Sequence, residues 1–221
     1  MKFRDQLYII LSGIFIASLV TCNLIANKFV TVDLGFKVFI VSAGILPYPL
    51  TFLVTDLISE LYGQKKANLV VFSGFVASMF VLLFLWLGSQ FDAIPSSIVN
   101  DMTYDSVFQN AWRLIAASMV AYLFAQFIDV RIFHFWKRIT KGKYLWLRNN
   151  ASTMFSQLVD TSVILIILCS AGVIEWERFY SLWMMGWLFK VLVALIDTPI
   201  IYFALWALKD KIKPASYLGE N

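Results

Sequence analysis

The chain alternates long apolar runs with short polar breaks. An apolar run of about 20 residues crosses a bilayer as a helix, and the pattern predicts six such spans, at about 7–27, 36–62, 67–88, 111–135, 153–173 and 179–208. The second span carries an interruption, in the stretch ILPYPLTFLVTDLISELYG from Ile45 to Gly63. Pro47 and Pro49 each lack a backbone N–H, so the second helix is expected to break at Pro47-Tyr48-Pro49 and to restart at about Leu50, with Thr51 as its cap. Unpaired backbone at membrane depth is tolerated only against protein or a wet cavity. Broken spans of this kind mark substrate sites in transporters. The sixth span is long enough to tilt or to kink near Pro199. The start, MKFRDQ then LYIILSGIFIASLVTC, has the layout of a signal peptide, but the threonine before Cys22 fits a lipoprotein cleavage box poorly. An uncleaved first span is expected there. The fold class that follows is all-α and polytopic, a single transmembrane domain over residues 1–221.

Polar residues interrupt several of these spans on single helix faces. Phe52, Asp56 and Glu60 fall at i, i+4 and i+8, flanked by Thr51, Thr55 and Ser59. Thr153, Gln157 and Asp160 share a face of the fifth span, and Tyr122, Gln126 and Asp129 one of the fourth. In the sixth, Trp183, Trp187, Lys190 and Asp197 form a stripe, and the first offers Asn23 and Asn27 beside Lys28. A charge at the bilayer centre costs at least about 2.5 kcal/mol, so such groups are expected to face a partner or a wet cavity. At about 1.5 Å per residue, Asp56, Asp160 and Asp197 are expected at one level with Lys190 above them. Other readings compete. Glu60 also suits the interface near Lys65 and Lys66, and Asp129 an interfacial pair with Arg131. Lys190 and Asp197 also suit an ion pair two turns apart, Asn23 interhelical bonding, and the tryptophans an interfacial belt. Asp56 and Asp160 fit such readings worst, each sitting in a threonine-rich turn with no basic residue close in sequence.

Composition agrees with the membrane class: 60% of the 221 residues are hydrophobic and 14% charged, with a mean hydropathy of +0.76. Lysine and arginine set the orientation. With the N-terminus inside, the inner segments hold most of them, from Lys2 and Arg4 through the Lys137–Arg148 segment to Lys209, Lys211 and Lys213. The outer segments hold only Lys28, Lys37 and Arg178. Both termini are therefore expected in the cytoplasm, and the net charge of +4 reflects a basic inner face against anionic lipid rather than nucleic acid. Cys22 and Cys169 fall in apolar runs and read as small buried hydrophobes, and His134 is alone, so no metal or cofactor is expected. TFLVTD (Thr51–Asp56) and STMFSQLVDT (Ser152–Thr161) lie in the middle helix of each half, which raises a 3+3 inverted repeat as a hypothesis.

PYPLTFLVTDLISELYG, from Pro47 to Gly63, resembles the signature of the bacterial queuosine precursor transporters, also grouped as vitamin uptake transporters. KGKYLWLRNNASTMFSQLVDT, from Lys141 to Thr161, resembles their second signature, and Asn23 and Lys28 resemble first-helix positions. The likeness runs in order from about Asn23 to Lys209; it is specific for the family and does not fix the substrate. It implies a six-helix importer of the bacterial inner membrane, carrying a 7-deazaguanine base with a cyano or aminomethyl group for tRNA modification. A buried carboxylate suits the paired N–H donors of such a base, and Trp187, Phe52 or Tyr122 its ring. Asp56 and Asp160 are the leading substrate contacts; Thr51, Thr55, Gln157, Asn23 and Arg148 are secondary, with Phe52, Trp187, Lys190 and Asp197 lining the site. A homodimer is compatible with the sequence, although no seam is evident.

The chain has no P-loop and is not expected to hydrolyse ATP. The rival readings are a substrate-binding subunit of an ATP-driven vitamin importer, a carrier of another polar heterocycle, and a membrane enzyme. An enzyme needs a nucleophile and base, or a metal cluster, at one depth, and the lone His134 argues against it.

Overall fold

Pro47 and Pro49 start a helix in this protein. The computed structural model describes residues 3–26, 28–33, 35, 38–109, 112–172 and 174–208. In it a first helix, α1 (Phe3–Ile25), leads into strands β1 (Phe29–Asp33) and β2 (Val38–Ser42), and a 3-10 turn (Ala43–Ile45) joins these to α2 (Tyr48–Tyr62). Thus the first part of the expected second span is a strand, β2, paired antiparallel with β1 from the expected connection before it, with Phe29 opposite Ser42 and Asp33 opposite Val38. The physical reason lies in FVTVD and VFIVS: β-branched and aromatic residues dominate both runs, and a short apolar run suits strand as well as helix. Gly35, at φ +81°, lies between the strands, and its N–H donates to Asp33 Oδ1 at 2.8 Å. Pro47 then stands at the N-cap of α2 and Pro49 in its first turn, where a missing N–H is harmless.

The remaining helices are α3 (Gln64–Gly88), the short α4 (Asp101–Tyr104), α5 (Trp112–Ile139), α6 (Leu145–Ser170) and α7 (Phe179–Leu208). Among the described residues, α1, α3, α6 and the segment Trp176–Leu208 are long and apolar enough to cross a membrane. The other two elements differ. α5 has 28 residues but carries Asp129, Arg131, Lys137 and Arg138 in its second half. α2 has 15 residues, which gives roughly 22 Å of helix, shorter than a bilayer core of about 30 Å. α6 begins at Leu145, well ahead of the expected 153, after Tyr144 in the left-handed region. α7 continues through Pro199.

The packing is apolar outside and polar within. Phe72, Phe80 and Phe84 of α3 and Ile196, Phe203 and Trp206 of α7 are exposed, as lipid-facing positions are. α2 lies at the centre; of the residues from Thr51 to Tyr62 only Leu53 is not buried. At its end Gly63 turns the chain into α3 with φ 84° and ψ 173°, a conformation open essentially to glycine alone. At its start Gly44 sits against α1, where a Cβ would meet the Cys22 carbonyl oxygen at 2.6 Å.

Candidate functional site

One face of α2 carries Tyr48, Phe52, Asp56 and Glu60, one turn apart, so each begins a separate polar or aromatic step at about 6 Å intervals. At the first step, Tyr48 Oη donates to Asp160 Oδ2 at 2.7 Å, and Lys190 Nζ of α7 reaches the same oxygen at 2.6 Å. Lys190 also approaches Thr161 Oγ1 at 3.2 Å and lies 4.7 Å from the Tyr48 ring centroid. The carboxylate and the ammonium thus neutralise each other at depth.

The second step is aromatic. Tyr48, Phe52 and Tyr122 form a triangle of rings with centroids 5.2, 5.9 and 6.1 Å apart. Gln126 backs it, its Nε2 donating to Tyr122 Oη at 2.7 Å while Thr55 Oγ1 lies 3.2 Å from its Oε1.

The third step is acidic. Asp56 is 1% exposed and Asp129 of α5 is fully buried, and their carboxyl groups meet within hydrogen-bonding reach. Ser156 Oγ of α6 lies 3.0 Å from Asp129 Oδ1, and Ser152 and Thr153 line the same carboxyl group. Asp197 of α7 stands near Asp56. Asp56 Oδ1 and Asp129 Oδ2 receive no donor from the protein.

The fourth step closes the column with charge. Glu60 Oε2 pairs with Arg148 Nη2 at 2.7 Å and Lys137 Nζ at 2.9 Å. Arg148 is buried, donates from Nη1 to the Gly142 carbonyl at 2.8 Å, and lies 5.3 Å from the Phe133 ring. Charged end steps therefore flank an aromatic cage and a carboxyl pair that, among the described residues, no cation contacts directly.

These helices coincide with a known family. Residues 42–204 match the model of the family described as "Putative vitamin uptake transporter". The chain belongs to the vitamin uptake transporter family. It is similar to the "Probable queuosine precursor transporter" of Bacillus subtilis (strain 168), at 30% identity over 73% of this chain and 70% of that one. The protein of the same description from Haemophilus influenzae is 28% identical over 69% of this chain and 63% of its own length. The "Queuosine precursor transporter" of Escherichia coli (strain K12) is 24% identical over 77% of this chain and 75% of its own. No solved structure matches the chain significantly. The protein is a multi-pass membrane transporter and not an enzyme.

The transporter's steps gather most of the expected site residues and correct several expected relations. Thr51, Phe52, Thr55, Asp56, Arg148, Gln157, Asp160 and Asp197 are all buried, and Lys190 joins them through Asp160. Asp160 is not level with Asp56; it lies two steps nearer the start of α2, beside Tyr48. Lys190 pairs with Asp160, not with Asp197. Asp129 is not an interfacial partner of Arg131, which is exposed; it faces Asp56 inside the bundle. Glu60 pairs with Arg148 and Lys137 rather than Lys65 or Lys66, and Lys66 instead covers the Tyr8 and Tyr62 rings.

Two expected residues stand apart. Trp187 Nε1 donates to the Met154 carbonyl, and its ring stacks on Trp183, away from the aromatic triangle. Asn23 lines a cavity of about 10 Å³ with Ser78 and Met119, between α1, α3 and α5. Asn27 lies outside the described residues. Tyr48, which bonds Asp160 and packs on Phe52, is offered by the sequence only as the middle residue of Pro47-Tyr48-Pro49. Its place one turn before Phe52, on the face that carries Asp56, was the available signal.

Proposed function

We propose that this transporter imports a queuosine precursor, a 7-deazaguanine base bearing a cyano or aminomethyl group, across the bacterial inner membrane. The observation that carries the proposal is the juxtaposition of the Tyr48–Phe52–Tyr122 ring triangle with buried carboxyl oxygens that lack donors. A guanine-like base presents a flat apolar face and a pair of adjacent N–H donors, which are the complements of these two features. The descriptions of three relatives point to the same cargo.

In this reading the base enters between the ring triangle and the Asp56 carboxyl, which accepts the donor pair. Thr51, Thr55 and Gln157 serve its carbonyl and ring nitrogens, and the acidic walls formed by Asp129 and Asp197 favour an aminomethyl cation. Arg148, Lys190 and Asp197 hold the charged walls. The chain would cross the membrane six times with both termini in the cytoplasm, α2 and its hairpin together making the second passage. The helices before and after α4 would form two halves of opposite orientation.

The test is uptake in cells that lack both precursor synthesis and their own importer. Expression of this chain with the base supplied is expected to restore queuosine in tRNA, and Asp56→Ala to abolish the rescue. No rescue by a protein that reaches the membrane overturns the proposal. Rescue in a host without partner proteins separates a self-sufficient carrier from a subunit of an ATP-driven importer.

A further inference from the structure

Asp56 and Asp129 raise a question that substrate binding leaves open. Their carboxyl groups meet within hydrogen-bonding reach in the dry centre of the bundle. Each carries an oxygen, Asp56 Oδ1 and Asp129 Oδ2, that is sealed from solvent and receives no donor. Acceptors cannot satisfy one another, and two like charges brought together in a buried site repel strongly.

Among the described residues, none supplies a counter-charge at contact distance. From α2, Glu60 is the next charged group, and it is engaged by Arg148 and Lys137. From α6, Ser152, Thr153 and Ser156 offer hydroxyls to Asp129, while Arg148 acts on Asp56 only from a distance, being bonded to Glu60 and Gly142. From α7, Asp197 adds a further carboxyl group, and Lys190 is held by Asp160. From α1 the buried polar side chains are Ser18 and Asn23, and from α3 Ser78, none of them charged.

We propose that the Asp56–Asp129 pair is a proton-binding site, holding one shared proton in this closed arrangement, and that separation of α2 from α5 releases it. The proton sits between the two carboxyl groups, donated by one and accepted by the other, so the pair carries a single negative charge. When the column opens, water reaches both groups and the second ionises. Closure is therefore proton-linked: it is favoured at low pH and opposed as pH rises. The linkage rests on the proposed function for its transport consequence, but the shared proton itself does not.

Infrared spectroscopy of the purified full-length protein tests the proton without any substrate. The carbonyl stretch of a protonated carboxylic acid is expected at neutral pH, shifting on 13C-aspartate labelling and on H/D exchange. It is expected to vanish in Asp56→Asn and in Asp129→Asn, and to persist in Asp160→Asn, whose carboxylate is paired with Lys190. The labelled wild type gives the band even if a variant fails to fold. Absence of a labelled acid band at neutral pH overturns the proposal, as does its survival in both folded pair variants.

The second arm measures exchange of the radiolabelled deazaguanine base in proteoliposomes at equal pH on both sides. Wild-type exchange is expected to fall about tenfold per pH unit on the alkaline limb, as for one proton. In Asp129→Asn, where an amide stands in for the protonated acid, that limb is expected to flatten. An identical pH profile in wild type and variant overturns the linkage. No exchange at any pH, with the acid band present, sinks the substrate reading and leaves the proton site standing.

Discussion

Lys190 and Asp160 neutralise each other across two helices, and their energetics follow from removing one partner at a time. A buried pair broken on one side leaves an uncompensated charge and costs about 3–5 kcal/mol. Lys190→Met is therefore expected to lower the thermal midpoint in detergent strongly, and adding Asp160→Asn to recover much of the loss. A double variant no better than the single one would show that the 2.6 Å contact does not govern stability. Tyr48→Phe removes one hydrogen bond to the same carboxylate and is expected to cost about 1.5–3 kcal/mol. Here the sequence was legible in part. Asp56 and Asp160 stood out because a carboxylate in a threonine-rich turn of an apolar helix has no cheap explanation. Their partners did not, because Lys190 lies 30 residues from Asp160 and Tyr48 lies 112 away, and no local spacing encodes such contacts.

The helices α1, α3 and α5 to α7 were readable from hydrophobic run length alone, within a few residues at most ends. The hairpin was not: β2 is as apolar as the span it opens, β1 falls in the expected connection before it, and both are too short for periodicity to decide. The sequence suggests a break inside one helix at Pro47-Tyr48-Pro49 with Thr51 as the new cap; instead the residues before Pro47 pair as strands, Pro47 is the N-cap of α2 and Thr51 lies inside it. The turn between α2 and α3 gives a direct test of backbone conformation. Gly63→Ala forces a side chain into φ 84°, ψ 173°, and is expected to cost about 1–3 kcal/mol. Gly13→Ala, inside α1 with nothing within 4 Å, is the contrasting control, expected to stabilise by up to about 1 kcal/mol. Thermal unfolding of both in detergent checks the difference.

Taken together, the steps form a column closed at both ends by ion pairs and lined between them by aromatic rings and buried carboxyl groups. Opening the Glu60 end has a measurable signature. Glu60→Gln weakens the contacts to Arg148 and Lys137, so a cysteine at Ser59, buried in the closed column, is expected to react several-fold faster with a soluble thiol reagent. The background for this is Cys22→Ser and Cys169→Ser, which removes both native thiols. Equal labelling rates with and without Glu60→Gln would show that the ion pairs do not hold that end shut.

The shortness of α2 also bears on how the protein is made. A helix of 15 residues that begins at a proline pair and contains Asp56 and Glu60 is a poor stop signal for the insertion machinery. Left alone beside lipid, it has no partner for either carboxyl group. Its neighbours α5 and α6 are translated later, and they bring Asp129, Lys137 and Arg148. The seating of α2 is therefore expected to wait until those helices emerge, a late step in the biogenesis of this transporter.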